Sequence, residues 1–333
     1  MDKSDFEEIS EASNRFANKL YRIISKHKGN ILFSPTSVHI VLSLLYQGAN
    51  SETAEAIESV LGVPNKEAAA NGYNNIMKWL NQLEDVTLHS ANKIYVMRNF
   101  SLKEEFYKSA VEQFLSEVEE IHFKNNTEAA KKMNRWVENK TNLKIKDLVS
   151  PSSLDGLTRL VLINAIYFKG NWLDPFIDDS TTTESFFRTS NDKIDCQMMH
   201  TNAKFNYCEN EYLDAKILEM KYRNINVSMV CVLPNEIDGI ENLEKKLIDV
   251  DLSTLTNDSE HVKVKVSLPK FRFDKTIELE DVLKELGLEI IFDGNRADFS
   301  DLSTNNQGLY VSKAIQKALI EVNEEGAEIV ATT

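Results

Sequence analysis

Residues 159–168, RLVLINAIYF, are apolar along most of their length and show no two-residue alternation. A strand of this kind is buried on both faces, so the chain must place other structure above and below it. Other stretches are equally rich in strand formers: HSANKIYVM, VEEIHF, INVSMVCVLP, VKVKVSLPKFRF and KALIEV. Of these, VKVKVSLP alternates and is expected to be half exposed. Helical text separates them, in NTEAAKKMNRWVENKTN and LEDVLKELG, and dominates the first third. FANKLYRIISKH places Phe16, Leu20, Ile23 and Ile24 on one helical face. A second helix is expected within FSPTSVHIVLSLLYQGA, with Ser34 as cap, Pro35 in the first turn and Gly48 just past the end. ANSETAEAIESVLG supplies a short third helix. No repeat period and no Pro/Gly/Ser linker interrupts the 333 residues, which favours one large α+β domain.

Charge narrows the partners. With 52 acidic against 38 basic residues the chain carries −14, which disfavours non-specific attraction to nucleic acid or an anionic membrane. No apolar run reaches the roughly 18 to 20 residues that a membrane helix requires. The start, MDKSDFEEIS, lacks the basic-then-apolar layout of a secretory signal. The chain is therefore either cytosolic or a form from which a signal has been removed. Cys196, Cys208 and Cys231 are odd in number, leave at least one thiol unpaired and form no disulfide framework. Asn99, Asn125, Asn139, Asn226 and Asn257 each begin an Asn-x-Ser/Thr pattern, which permits secretion without requiring it.

Most catalytic chemistry has no footing here. No two glycines lie within four residues of each other, so a phosphate loop and a dinucleotide turn are both absent. The histidines at 27, 39, 89, 122, 200 and 261 never fall three or four apart, and no CxxC occurs, which argues against a local metal site. The Gly-x-Ser-x-Gly elbow of a hydrolase is missing. Ser34 and Ser37 lie near His39 in sequence, yet on a helix His39 points to a different face from Ser37. A helix cap and a buried hydrogen bond are the simpler reading of both serines.

Five stretches together resemble the serpin family of protease inhibitors. They are NILFSPTSVHIVLSLLYQGANSETAEAI, LVLINAIYFKGNW, VCVLPNEIDGIENLE, VSLPKFRFD with LEDVLKELGLEIIFD, and VSKAIQKALIEVNEEGAE, in the family's order from about residue 5 onward. The resemblance implies the serpin fold, with three β-sheets, about nine helices and a mobile reactive-centre loop. It also implies a protein that is not an enzyme. Residues 1–333 would be a single serpin domain that ends inside the reactive-centre loop and lacks the strands that follow it. The implied action is that of a spring: a protease cleaves the loop, the loop inserts as a central strand, and the acyl-enzyme is dragged along and trapped. Loop insertion of this kind is a recognised switching transition.

The resemblance assigns residues. Glu324, Glu325, Gly326, Ala327, Glu328, Ile329, Val330, Ala331, Thr332 and Thr333 match the hinge and first part of the loop. Gly326 supplies backbone freedom at the bend. In an inserted strand Ala327, Ile329, Ala331 and Thr333 would share the inward face, while Glu328, Val330 and Thr332 would share the other. Inhibitory members have small residues where Ile329 and Val330 stand, and overpacking an inward Ile costs roughly 1 to 3 kcal/mol where no space exists. Against that, the segment from Ala327 on contains no Pro, and Glu328 is its only charge.

The family's sheet-opening cluster maps to Ser34, Ser37, Asn164 and Gln316. Gln316 stands where the family usually has a histidine and cannot titrate near neutrality. Trp172 maps to the place where the loop first enters the sheet. Lys131, Lys132, Arg135, Lys140, Lys144 and Lys146 lie in one stretch against only Glu128 and Glu138, a candidate surface for a heparin-like polyanion acting as activator. No other cofactor and no metal is implied. The expected partners are a serine protease, the chain's own C-terminal fragment after loop cleavage, and a glycosaminoglycan; nucleic acid and membrane are not expected.

The function expected on this ground is inhibition of serine proteases, trypsin-like and extracellular, in an immune cascade. Its texture is that of secreted arthropod members, with a cytoplasmic location as the alternative. A non-inhibitory carrier, chaperone or storage protein is the second reading, and a hydrolase built on Ser34 or Ser37 a distant third.

Overall fold

The structure is a computed structural model that describes residues 3–27, 29–305 and 308–327. The chain forms two compact units. The first runs to Gln82 and adds His89–Tyr167 and Asp274–Leu319; the second comprises Leu83–Leu88, Phe168–Phe273 and the chain from Ile320.

The first unit begins with four helices: α1 (Lys3–Ile24), α2 (Pro35–Gly48), α3 (Ser51–Leu61) and α4 (Lys66–Asn81). Ser34 caps α2, its side chain accepting from Ser37 N, and Pro35 occupies the first turn. Phe16, Leu20, Ile23 and Ile24 are buried as their spacing predicts. α2 is apolar around most of its circumference because it lies inside the core, against residues from α1, α3 and α4. Gly48 closes α2 from within its last turn, and Ala49 is the residue just past the end. Packing explains the glycine: a Cβ there would sit 2.6 Å from Leu302 Cβ.

His39 belongs to this core. Its Nε2 donates to the Leu61 carbonyl at 3.0 Å, which leaves Nδ1 to accept from the Tyr73 hydroxyl. Phe16 meets the ring edge-on at 5.0 Å. Both nitrogens are thus engaged away from Ser34 and Ser37, and the hydrolase reading has no base.

Beside these helices stand β1 (Val86–Met97), β2 (Glu117–Ile121), β3 (Leu160–Asn171), β9 (Phe271–Glu278) and β10 (Val311–Val322), in the order β2-β1-β3-β10-β9. β3 is the strand of the RLVLINAIYF run, and Leu160 to Ala165 are buried without a break, so both faces are covered and alternation is absent. It pairs with β10 in parallel, Leu162 opposite Ala314, Asn164 opposite Gln316 and Ile166 opposite Ala318. α5 (Glu104–Lys108), α6 (Asn126–Lys140) and α8 (Glu280–Glu285) complete this unit.

The second unit holds β4 (Thr182–Thr189), β5 (Asp192–Asn210), β6 (Ala215–Lys221), β7 (Ser228–Pro234), α7 (Ile240–Leu247), β8 (Glu260–Pro269) and the two-residue β11 (Gly326–Ala327). β4-β5-β6-β7 is one sheet, with β8 also on β5. Three sheets are expected from the sequence; among the described residues there are two, with eight α-helices. The reason is the length of β5. Its first part pairs with β4, its middle with β8 and its last part with β6, so one 19-residue strand joins what would otherwise be two sheets. β8 alternates as expected, with Lys263, Lys265 and Ser267 exposed and Val266 buried. Among the described residues no helix is long and apolar enough to cross a membrane.

Burial lowers the His39 pKa from 6.5 to about 4, even though its bond to Leu61 opposes the shift. The unfolded chain therefore takes up a proton that the folded chain refuses. His39 should cost no stability above pH 6.5 and up to about 3 kcal/mol as pH falls from 6.5 to 4. Urea unfolding at pH 7, 5 and 4 checks this: His39→Gln should flatten that part of the pH dependence relative to the parent chain.

Candidate functional site

Beneath the β3–β10 pair, in the first unit, lies a buried amide and hydroxyl cluster. Gln316 Oε1 accepts from Ser34 N at 2.9 Å. Its Nε2 donates to the Ser34 carbonyl at 2.9 Å and to Asn164 Oδ1 at 2.6 Å. Asn164 Nδ2 continues the chain to Asn92 Oδ1 at 2.5 Å, and Ser34 Oγ donates to Ser37 Oγ at 3.0 Å. Gln316, Asn164, Ser37 and Asn92 are all buried. The four residues named from sequence are thus brought together, and Asn92 joins them unannounced. Because Gln316 and Asn164 are opposite one another in the register, their bond links the two central strands directly. Each buried polar group here depends on another, so separating the strands leaves several unsatisfied at once.

In the second unit the chain leaves β10 through a tight turn. Asn323 Oδ1 accepts from Glu325 N and Gly326 N, both at 3.1 Å, while Asn323 N donates to the Gly326 carbonyl at 2.8 Å. The turn is fastened to the end of β3: Trp172 N donates to the Glu325 carbonyl at 2.8 Å and Trp172 Nε1 to the Asn323 carbonyl at 3.0 Å. Trp172 is buried and stacks on Tyr222, ring centroids 4.6 Å apart. Phe176 N donates to the Glu324 carbonyl at 2.9 Å.

Glu324 is buried with its charge matched. Lys270 Nζ lies 2.8 Å from Oε2, and the Thr181 hydroxyl donates to Oε1 at 2.9 Å. Burial alone would raise its pKa; the bonds from Lys270, the backbone and Thr181 outweigh it and hold the carboxyl below its usual range.

Past the turn, β11 lies antiparallel to β3, Gly326 opposite Asn171 and Ala327 opposite Gly170. Gly326 has a φ of +155°, and a Cβ there would meet the Gly170 carbonyl oxygen at 2.1 Å. Both conditions exclude any other residue without displacement. Gly170 is required for a similar reason, since a Cβ would lie 2.8 Å from the Tyr222 ring. Lower down, β3 and β10 are paired with each other from Leu160 to Tyr167 and Val311 to Leu319, so no strand stands between them there. Glu324, Glu325, Gly326 and Ala327 thus form the turn after β10 and its first pairing with β3. Glu328, Ile329, Val330, Ala331, Thr332 and Thr333 lie outside the described residues.

The basic stretch on α6 and the residues after it is partly neutralised. Lys132 pairs with Glu119 and Lys140 Nζ lies 2.8 Å from Glu117 Oε1. Lys131 and Arg135 share a surface cleft with Glu138 and Asp147, and the Lys146 carbonyl accepts from Lys317 Nζ at 3.1 Å.

Helices on a mixed sheet, with the chain turning from β10 back onto β3, define an α+β fold. The chain belongs to the serpin family: the family model, Serpin (serine protease inhibitor), matches residues 11–333. Among its relatives, Alaserpin of Manduca sexta is 35% identical over 326 residues, covering 97% of this chain and 83% of the relative. Serine protease inhibitor 42Dd of Drosophila melanogaster is 34% identical over 330 residues, 98% of this chain and 87% of the relative. The crystal structure of Serpin48, a highly specific serpin in the insect Tenebrio molitor, superimposes with a TM-score of 0.92 at 38% identity, covering 100% of this chain and 90% of that one.

Lys270, Thr181, Asn323 and Tyr222 escaped sequence reasoning, although Lys270 sits within VSLPKFRFD, one of the stretches that carry the resemblance. Lys270→Met should lower the unfolding free energy by about 1 to 3 kcal/mol, because it strands a buried carboxylate. Adding Glu324→Gln should recover most of the loss, since the amide keeps the Thr181 bond and carries no charge. Urea unfolding of the four proteins in a double-mutant cycle checks the coupling; additive losses would place the stabilisation elsewhere.

Proposed function

We propose that this chain is a suicide-substrate inhibitor of serine proteases, trypsin-like and extracellular, which traps the acyl-enzyme by inserting its cleaved loop between β3 and β10. The observation that carries the reading is the start of β11. The chain emerges from β10, turns on Asn323 and already runs antiparallel against the end of β3, while the two strands below remain paired. Extending β11 downward would replace one parallel pairing with two antiparallel ones. Antiparallel pairing is slightly more stable per residue, and the added strand also gains its own ladder of hydrogen bonds.

The parts identified above then have separate roles. The Asn323 turn, Trp172 and the Lys270–Glu324 pair hold the hinge in position before cleavage. Gly326 is the pivot. The Gln316, Asn164, Ser34, Ser37 and Asn92 cluster sets the resistance of the sheet to opening; an amide in place of a titratable ring makes that resistance independent of pH near neutrality. Catalysis belongs wholly to the protease. Its serine attacks the scissile carbonyl, and insertion of the released strand displaces the acyl-enzyme before water completes the cycle. The C-terminal fragment released by cleavage stays with the rest of the fold.

The extracellular setting is supported by the exposure of Asn99, Asn125, Asn139, Asn226 and Asn257, each the first residue of an Asn-x-Ser/Thr pattern. A heparin-like activator would meet a surface on which Glu117 and Glu119 already answer Lys140 and Lys132, leaving Lys131, Arg135, Lys144 and Lys146 as its main cations.

Incubation of the intact protein with trypsin-like proteases, followed by denaturing electrophoresis, tests the proposal. A band at the summed mass that survives denaturant is expected. Clean loop cleavage without that band, repeated across several proteases, would favour the non-inhibitory reading and would point to Ile329 and Val330 as the obstruction.

A further inference from the structure

Away from the β3–β10 pair, the second unit assembles a hydroxyl–imidazole–carboxylate relay from three strands. The Ser267 hydroxyl of β8 lies 3.0 Å from His200 Nδ1 of β5, and His200 Nε2 lies 2.7 Å from Glu184 Oε1 of β4. The Thr182 hydroxyl donates to the same carboxylate oxygen at 2.7 Å. These bonds, from Thr182 first and His200 second, hold the Glu184 carboxyl below its usual range. An ionised carboxylate can only accept, so the neutral ring carries its hydrogen on Nε2 and leaves the Nδ1 lone pair to accept from Ser267. The register sets this up: Ser267 stands directly opposite His200, in a β5–β8 pairing that runs without a shift from Met198 and Pro269 to Tyr207 and Glu260. The ring is half-buried, while Ser267 is exposed.

The same face of the sheet carries a set of cations. Side chains alternate along β5 and β8, so Lys263 and Lys265 share the face of Ser267, and Asn202 and Lys204 that of His200. Lys204 stands opposite Lys263, and Asn202 opposite Lys265. All three lysines are exposed, and among the described residues none of them has an ion pair or a side-chain hydrogen bond. Like charges directly opposite one another on a sheet repel, and no carboxylate of the fold answers these. In a chain of net charge −14 this is a local surplus of positive charge. Lys265 precedes Ser267 by two residues, roughly 7 Å along the strand, and its flexible stem lets the ammonium reach over the hydroxyl.

We infer that Ser267 is a nucleophile that takes acyl groups from carboxylic esters whose acid part carries a negative charge. His200 is its general base, Glu184 positions the ring, and Lys265 neutralises the oxyanion, with Lys204 and Lys263 holding the charged end of the acid. The step balances within the relay. Ser267 Oγ forms a bond to the ester carbonyl carbon as its proton passes to His200 Nδ1. The bond from that carbon to the alkoxy oxygen then breaks, the proton moves from Nδ1 to the departing oxygen, and an alcohol leaves. Water attacking the Ser267 ester by the same route releases the acid and restores the hydroxyl. Such a relay is defined by geometry and roles, not by the order of its members in the chain. A cluster that served only to fasten β4 to β8 would not call for three unanswered lysines beside it. The activity is separate from protease trapping, since neither the turn after β10 nor the β3–β10 pair takes part in it.

The test treats the intact protein with an alkyl fluorophosphonate, which exchanges its fluoride for the attacking oxygen and leaves a stable adduct, and locates the label by peptide mass. Ser267 should carry the label, and His200→Ala should slow its labelling roughly a hundredfold. Free imidazole should restore part of that rate in His200→Ala, a rescue that a ring serving only to join strands would not give. His200→Gln should show the same loss and replaces His200→Ala where that variant fails to fold. Glu184→Ala should keep Ser267 as the labelled residue but move the nitrogen-15 resonances of His200 away from those of the Nε2–H tautomer. The substrate class is tested with mono-4-nitrophenyl glutarate and 4-nitrophenyl acetate, counting only the nitrophenol release that Ser267→Ala abolishes and scaling each ester to its rate in buffer. The glutarate ester should be favoured roughly three- to tenfold at low salt, and Lys204→Gln with Lys263→Gln should remove the preference. A label spread over other residues, or an undiminished rate in the His200 variants, would overturn the inference and leave the relay as a tie across three strands. Equal scaled rates for the two esters in the parent would overturn the assigned substrate.

Discussion

Everything in this molecule turns on the pairing of β3 with β10. It is a parallel pairing between two strands buried in the sheet, and the Gln316–Asn164 bond ties their side chains as well as their backbones. A stable enzyme core would treat such a junction as permanent. In the proposed mechanism it is the seam that opens, so its strength has to be sufficient without being maximal. Neutral amides suit such a seam, because they are fully bonded when the sheet is closed, and being uncharged they are less costly to expose and rebury than an ion pair would be.

The two ends of the seam are controlled by different physics. At the top, a compact turn and one buried ion pair set the hinge geometry, and steric exclusion at Gly326 and Gly170 lets β11 approach β3 closely enough to pair. Along the middle, side-chain hydrogen bonds among Gln316, Asn164 and Ser34 restrain the strands.

Much of this could be read in the sequence, by two routes. Local chemistry was legible directly: the Ser34 cap, the buried β3 and the alternation of β8 follow from spacing and residue type. Asn164 and Gln316 lie far along the chain from Ser34 and Ser37, and the convergence of the four was reached only through the family resemblance. Asn92, Asn323 and Lys270 were not reached at all. Each is a common polar residue whose meaning comes from a partner distant in sequence or from burial, and neither leaves a local pattern. The merging of two expected sheets was hidden for a related reason, because β5 changes partners along its length and only the register reveals it. Gly48 does close α2, but the tight packing against Leu302 that requires a glycine there leaves no mark in a one-dimensional pattern.

The most direct test of the central claim locks the seam. Ile166→Cys with Ala318→Cys places two thiols at positions opposite one another on β3 and β10, at the separation that neighbouring strands give and a disulfide can span. Oxidised, the protein should still be cleaved in its loop by a protease but should trap none of it; reduced, it should recover a complex that survives denaturation. Trapping that proceeds equally well with the disulfide closed would contradict the account, because the strands would then have no need to part.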